Sequence, residues 1–183
     1  MLLIYGKIED ILEKDTENKK SAESAAGRML LDVLLSRSGV ASTSADIKIG
    51  KQGKPYLATL PNTDFNITHS NGFVACILSV DEGQVGIDAE PIATVIPDEK
   101  QKRLAARYFT DVERTTLESG ERSFSELWTR REAFLKMTGD GFAKGIGREI
   151  PEDAFFTTLT LDGFILTACT EKQTDITVME YNK

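Results

Sequence analysis

The sequence predicts an α+β chain whose two halves follow a similar order of elements. Three observations predict it: two stretches of helical periodicity (residues 21–39 and 124–139), two hairpins turning at Asn71-Gly72 and Asp162-Gly163, and a period-two strand at residues 85–90. At 183 residues the chain can bury a core as one domain or as two small lobes.

In chain order, MLLIYGKI is a short apolar run that reads as a strand, followed by a charged stretch from Glu9 to Lys20. SAESAAGRMLLDVLLSRSG is an amphipathic helix with Ala22, Ala25, Ala26, Met29, Leu30, Val33 and Leu34 on its apolar face and Gly39 as its stop. Arg28 lies off that stripe. Residues 47–65 are turn-rich, and Gly53-Lys54-Pro55 is a tight basic turn. FNITHSNGFVACILSV is a hairpin, with Phe65, Ile67 and His69 on one face of its first strand and Asn66, Thr68 and Ser70 on the other. After the strand VGIDAE, Pro91 and Pro97 bracket a connection. DEKQKRLAARYF is a basic helix carrying Lys100, Lys102, Arg103 and Arg107, with Arg114 just beyond. Thr110 to Glu113 has capping-box form, so Glu113 is either a helix cap or an active-site acid.

The stretch FSELWTRREAFLKMTGDGF is the central helix. Ser123 to Glu126 form a capping box, and Gly139 and Gly141 supply the stop. At ~100° per residue, Phe124, Leu127, Trp128, Phe134 and Leu135 share a stripe with Glu132 on its flank and Lys136 one turn further. Arg131 projects inside the stripe, where a cation must be paired or stand at a pocket mouth. FFTTLTL, Asp162-Gly163 and FILTACT form the second hairpin, and DITVMEY is a last strand.

A net charge of −7 argues against a nucleic-acid or anionic-membrane surface. No run of ~18 apolar residues and no signal-peptide pattern occur, which gives a cytoplasmic expectation. Cys76 and Cys169 sit in apolar runs without Cys-x-x-Cys spacing, which favours buried free thiols over a disulfide. With His69 the only histidine, a Ser-His-Asp triad or a His-rich metal site is almost excluded.

Asp88 and Glu90 share one face of their strand. Converging with Glu132 from a nearby helix, they would form an oxygen-rich site for a hard cation such as Mg²⁺. Lys54, His69 and Arg28 are candidate anion contacts. Each feature also has a plain structural reading: a surface Lys-Pro turn, a hydrogen-bonding His, a solvated helix Arg, and a Glu132–Lys136 ion pair at i,i+4. Carboxylates with scattered cations suit phosphoryl or phosphodiester chemistry.

Four blocks in order, GKPYL (53–57), FNITHS (65–70), VGIDAE (85–90) and WTRREAFLK (128–136), resemble the 4′-phosphopantetheinyl transferases, specifically the monomeric kind that activates polyketide and nonribosomal-peptide synthetases. RYFTDVE (107–113) is similar to the family's linking segment, and the resemblance covers residues 50 to 150. It implies transfer of phosphopantetheine from coenzyme A to a serine of an apo carrier protein, with release of 3′,5′-ADP. It further implies a pseudo-dimer of two α+β lobes, residues 1–83 and 84–183, with coenzyme A between them and the metal site on the second. By the same resemblance Asp88, Glu90 and Glu132 bind Mg²⁺, Glu132 is a candidate general base and Lys136 assists at the phosphates. His69 contacts the 3′-phosphate, Lys54 lies at the nucleotide, and Arg28 and Arg131 are further coenzyme contacts. The family usually has Lys where Arg131 stands; charge is kept, but Arg is not an equivalent donor. The carrier partner is expected to be small, acidic and helical. Since this chain is also acidic, docking on an enzyme expected to be a monomer would be local and partly hydrophobic, with the basic Lys100–Arg114 helix as the candidate surface. The competing readings are a non-catalytic relative that binds coenzyme A or a carrier, and an unrelated metal-dependent phosphohydrolase.

Overall fold

The computed structural model describes residues 1–12, 18–92, 98–141 and 149–182. Pro97 and Phe142, at the ends of two of the stretches read above, lie outside them. The chain begins with β1 (Leu2–Lys7), a single helical turn α1 (Ile8–Ile11) and the long helix α2 (Lys19–Arg37). A small ribbon of β2 (Ile47–Ile49) and β3 (Pro55–Leu57) follows, then the hairpin β4 (Thr63–Ser70) and β5 (Phe73–Val80). The second half runs β6 (Val85–Pro91), α3 (Glu99–Tyr108), α4 (Asp111–Glu118), α5 (Phe124–Thr138), β7 (Phe155–Leu161), β8 (Phe164–Thr170) and β9 (Thr177–Glu180). The fold class is α+β, as the sequence predicts.

Both hairpin turns take the backbone that their residues favour. Asn71 and Gly72 have φ of 46° and 87°, and Asp162 and Gly163 have 48° and 82°. Positive φ at both central residues matches the right-handed twist of the flanking strands.

Two sheets result, ordered β4-β5-β1-β9 and β6-β8-β7. They pack face to face. Leu3, Ala75 and Ile77 of the first meet Val85, Ile87, Ala89, Leu166 and Ala168 of the second. The outer face of the first sheet (Ile4, Phe65, Val74, Cys76, Leu78) is covered by Ala26, Leu30, Leu31, Leu34 and Leu35 of α2. Burial on both faces explains why FVACILSV reads as a continuous apolar run rather than an alternating one. β9 pairs parallel to β1, so the C-terminal strand joins the N-terminal sheet.

Helix α2 is rotated relative to the predicted stripe. Gly27, Leu31 and Leu35 are buried, and Met29 is exposed. Gly27 permits this rotation: a Cβ there would stand 2.6 Å from Ile67 Cγ2, so the glycine lets the helix lie close on β4. Helix α5 fills the opposite side. Ala133, Phe134 and Met137 meet Cys169 and Phe156 on the second sheet. Its first turns, Phe124 and Leu127, pack with Ala105, Phe109 and Leu117 of the α3–α4 region. Both cysteines are buried free thiols. No helix among the described residues is long and apolar enough to cross a membrane.

Candidate active site

The site forms where α5 crosses β6. Along β6, Val85, Ile87 and Ala89 point into the core between the sheets, so period two turns Gly86, Asp88 and Glu90 toward α5. Gly86 is what lets the helix lie close. A Cβ at that position would be 2.2 Å from Ala133 O and 2.4 Å from Met137 N, both backbone atoms that cannot swing aside. The helix itself is set by its caps. Ser123 Oγ accepts from Glu126 N, Glu126 reaches back to Ser123 N, and Gly139 ends α5 in the left-handed region.

The close crossing gathers four predicted residues. Lys136 Nζ donates to Asp88 Oδ1 at 2.6 Å and to Thr68 Oγ1 at 3.3 Å, and stands 3.8 Å from Glu132 Oε2. Glu90, half-buried beside them, accepts from Ser70 Oγ at 3.4 Å. Burial first, then the neighbouring Asp88 charge, pushes the Glu132 carboxyl up to about 7, with Lys136 acting against them. The same two causes, in the same order, raise Glu90.

Among the described residues no three His, Cys, Asp or Glu side chains stand ready to hold a metal ion. Lys136 occupies the position between Asp88 and Glu132 instead. The donor set nonetheless fits a hard cation. Asp88 Oδ2 is buried without a hydrogen-bond partner, and the repulsion that raises Glu132 comes from Asp88 and Glu90. A buried carboxylate oxygen with no donor is costly, and it is an oxygen of the type that Mg²⁺ takes.

The remaining predicted residues make no hydrogen bond or ion pair with this cluster among the contacts described. Lys54 lines a cavity of about 210 Å³ that it shares with Glu132 and Lys136. Its ammonium, however, is bound by Asp64 Oδ2 at 2.5 Å, Met137 O at 2.9 Å and Val85 O at 3.2 Å. Arg131, which the resemblance made a coenzyme contact, is buried at 2% exposure and paired with Glu113. Glu113 also closes the capping box of α4 with Thr110. A guanidinium inside the apolar stripe requires such a partner. His69 is exposed on the α2 side of β4, with Nδ1 3.4 Å from Glu23 Oε2, and Arg28 is exposed on α2.

Several contributors were missed in the sequence. The polar face of β4 is buried against β6: Asp64 Oδ2 accepts from Val85 N, Asn66 Oδ1 accepts from Ile87 N, and Thr68 Oγ1 donates to Asp88 Oδ1. The sequence carries only the alternation Asp64, Asn66, Thr68, Ser70, four short hydrogen-bonding side chains on one strand face, which does not single out β6 as their partner. Gly86, two residues before Asp88, was readable as a site of close backbone approach.

A family model described as the 4′-phosphopantetheinyl transferase superfamily matches residues 84–178. A 4′-phosphopantetheinyl transferase of Bacillus subtilis is 32% identical over 151 residues, covering 76% of this chain and 62% of that protein. AcpT of Salmonella typhi is 30% identical over 176 residues, covering 92% and 86%. Sfp of Bacillus subtilis strain 168 is 31% identical over 149 residues, covering 75% and 61%. Of three such relatives, the Bacillus subtilis transferase just described among them, the chain spans 53%, 62% and 40% of the length.

Proposed function

Since the chain belongs to the 4′-phosphopantetheinyl transferase superfamily, we propose that it transfers phosphopantetheine from coenzyme A to a serine of an apo acyl or peptidyl carrier protein, releasing 3′,5′-ADP. The observation that carries this reading is the convergence of Asp88 and Glu90 from β6 with Glu132 and Lys136 from α5. Asp88, Glu90 and Glu132 would hold a divalent cation, Mg²⁺ by the chemistry of its all-oxygen ligands. Bound there, the ion would offset the charge of the coenzyme's pyrophosphate.

The chain's own residues divide the remaining work. The carrier serine is a poor nucleophile, and Glu132 takes its proton as the serine oxygen bonds to the β-phosphorus. The phosphoanhydride bond to 3′,5′-ADP breaks, and Lys136 stabilises the charge that develops on the phosphate oxygens. His69, half-exposed at the end of β4, and Arg28, exposed on α2, are the candidate contacts for the coenzyme's outlying 3′-phosphate. The pseudo-dimeric arrangement of lobes around coenzyme A is part of the same proposal, supported by the order β1-α2-β4-β5 in the first half and β6-α5-β7-β8 in the second.

The test is intact-mass measurement of a panel of apo carriers after incubation with coenzyme A and Mg²⁺. A gain of one phosphopantetheine, reduced ~10² to 10⁴-fold in rate by Glu132→Gln, is the expected result. Coenzyme A binding with no transfer to any carrier would instead select the non-catalytic relative. Release of phosphate from coenzyme A without a carrier would select the phosphohydrolase.

A further inference from the structure

Lys54 holds its position in a way that a phosphate contact would not need. An ammonium has three N–H donors, and all three are matched: Asp64 Oδ2 at 2.5 Å, Met137 O at 2.9 Å and Val85 O at 3.2 Å. The three acceptors lie on three different elements. Met137 O is among the last four carbonyls of α5, which have no partner inside the helix. Val85 opens β6, whose free edge faces β4 rather than another backbone ladder. Asp64 on β4 uses the same Oδ2 to accept from Val85 N at 2.9 Å, so both backbone groups of Val85 end on this pair. The side chains of Lys54 and Asp64 are 17% and 18% exposed.

We propose that Lys54 and Asp64 are positioning residues, a clamp that fixes the start of β6 against the last turn of α5 and so sets the spacing of Asp88 and Glu90 from Glu132. The residue after Val85 is Gly86, on which the α5 backbone rests, so a shift of Val85 is passed directly to the crossing. The consequence for metal affinity rests on the transferase reading given above, whereas the clamp itself does not. A surface lysine serving a phosphate would keep its donors toward solvent; this one spends them on a carboxylate and two carbonyls.

Four variants test it: the single changes Lys54→Met, Asp64→Asn and Lys54→Arg, and the double change Lys54→Met with Asp64→Asn. Arg retains the charge but cannot direct three N–H bonds from one nitrogen to three converging acceptors. The readouts are amide hydrogen exchange over residues 85–90 and 133–139, Mn²⁺ affinity by electron paramagnetic resonance, and affinity for coenzyme A. The clamp predicts faster exchange in both segments for all four variants. It predicts a fall in Mn²⁺ affinity of about tenfold that is similar for Lys54→Met and Asp64→Asn and not larger in the double variant. Lys54→Arg is the milder change and keeps the comparison possible if Lys54→Met does not fold. Unchanged exchange in both segments would overturn the proposal. So would loss of coenzyme A affinity in Lys54→Met alone, with Lys54→Arg and Asp64→Asn normal, which would make Lys54 a nucleotide contact. A wild type that binds no Mn²⁺ would remove the metal reading only, and the exchange data would still decide the clamp.

Discussion

At Glu132, burial and the charge of Asp88 act in the same direction and bring the carboxyl from an ordinary 4.5 to about 7, opposed by the Lys136 ammonium. Between those two values the folded chain holds a proton that the unfolded chain has released. Folding is therefore coupled to proton uptake at this residue, and the stability it contributes is full below about 4.5 and lost as pH rises through about 7. The melting temperature of metal-free protein should fall from pH 5 to pH 7.5, and Glu132→Gln should remove much of that slope. A cation favours the ionised form, so the rise in melting temperature on adding Mg²⁺ should be larger at pH 7.5 than at pH 5.5. Thermal melts on both proteins at three pH values check this, and an identical slope in Glu132→Gln would refute it. Arg131 illustrates a different residue-level problem. Its charge and its place within an apolar stripe are readable from the sequence, but the Glu113 that neutralises it stands eighteen positions away and is brought there by packing of α4 on α5.

The crossing of α5 over β6 depends on a position with no side chain. Gly86→Ala would place a methyl 2.2 Å from Ala133 O, and the helix backbone would have to lift. Overpacking of this kind costs about 3 kcal/mol, and chemical denaturation should register a loss of that size. In the folded fraction the same lift would carry Glu132 away from Asp88, so Mn²⁺ affinity should fall as well. A loss under ~0.5 kcal/mol, the range of ordinary surface changes, would show that the crossing is looser than its geometry indicates. Elements whose signal is local were legible in the sequence: the hairpin turns at Asn71-Gly72 and Asp162-Gly163, the caps of α4 and α5, and the shared face of Asp88 and Glu90. The seam between β4 and β6 was not. Asp64, Asn66, Thr68 and Ser70 look like the polar face of any half-buried strand, and only the meeting of two sheets makes them partners of β6. The partners of Lys54 were hidden for the same reason: a Gly-Lys-Pro turn advertises an exposed cation, whereas its acceptors come from three distant elements.

Over the whole molecule, charge is divided unevenly, and this bears on how a chain of net charge −7 would engage an acidic carrier. Uniform attraction between two acidic proteins is impossible, so docking would be local, through a patch of the opposite sign, an apolar surface or both. Helix α3 supplies a patch of that sign: Lys100, Lys102, Arg103 and Arg107 are all exposed along it. Lys100 is close enough to lower the Glu90 carboxyl, against the burial and the Asp88 charge that raise it. A carrier held on α3 would thus sit on a helix whose charge is felt at Glu90. Lys102 is engaged with Glu99 at 2.8 Å, which leaves Arg103 and Arg107 as the better probes. Both lie outside the carboxylate cluster, so their effect should fall on carrier association rather than on chemistry. Arg103→Glu with Arg107→Glu should lower kcat/KM for an acidic carrier about tenfold at low salt, through a slower encounter, while KM for coenzyme A stays fixed. Raising the ionic strength should narrow the gap between wild type and variant, because screening removes the attraction that the variant has already lost. Steady-state kinetics at two salt concentrations measures both effects. Equal salt dependence in the two proteins would move carrier docking off α3 and onto an apolar surface.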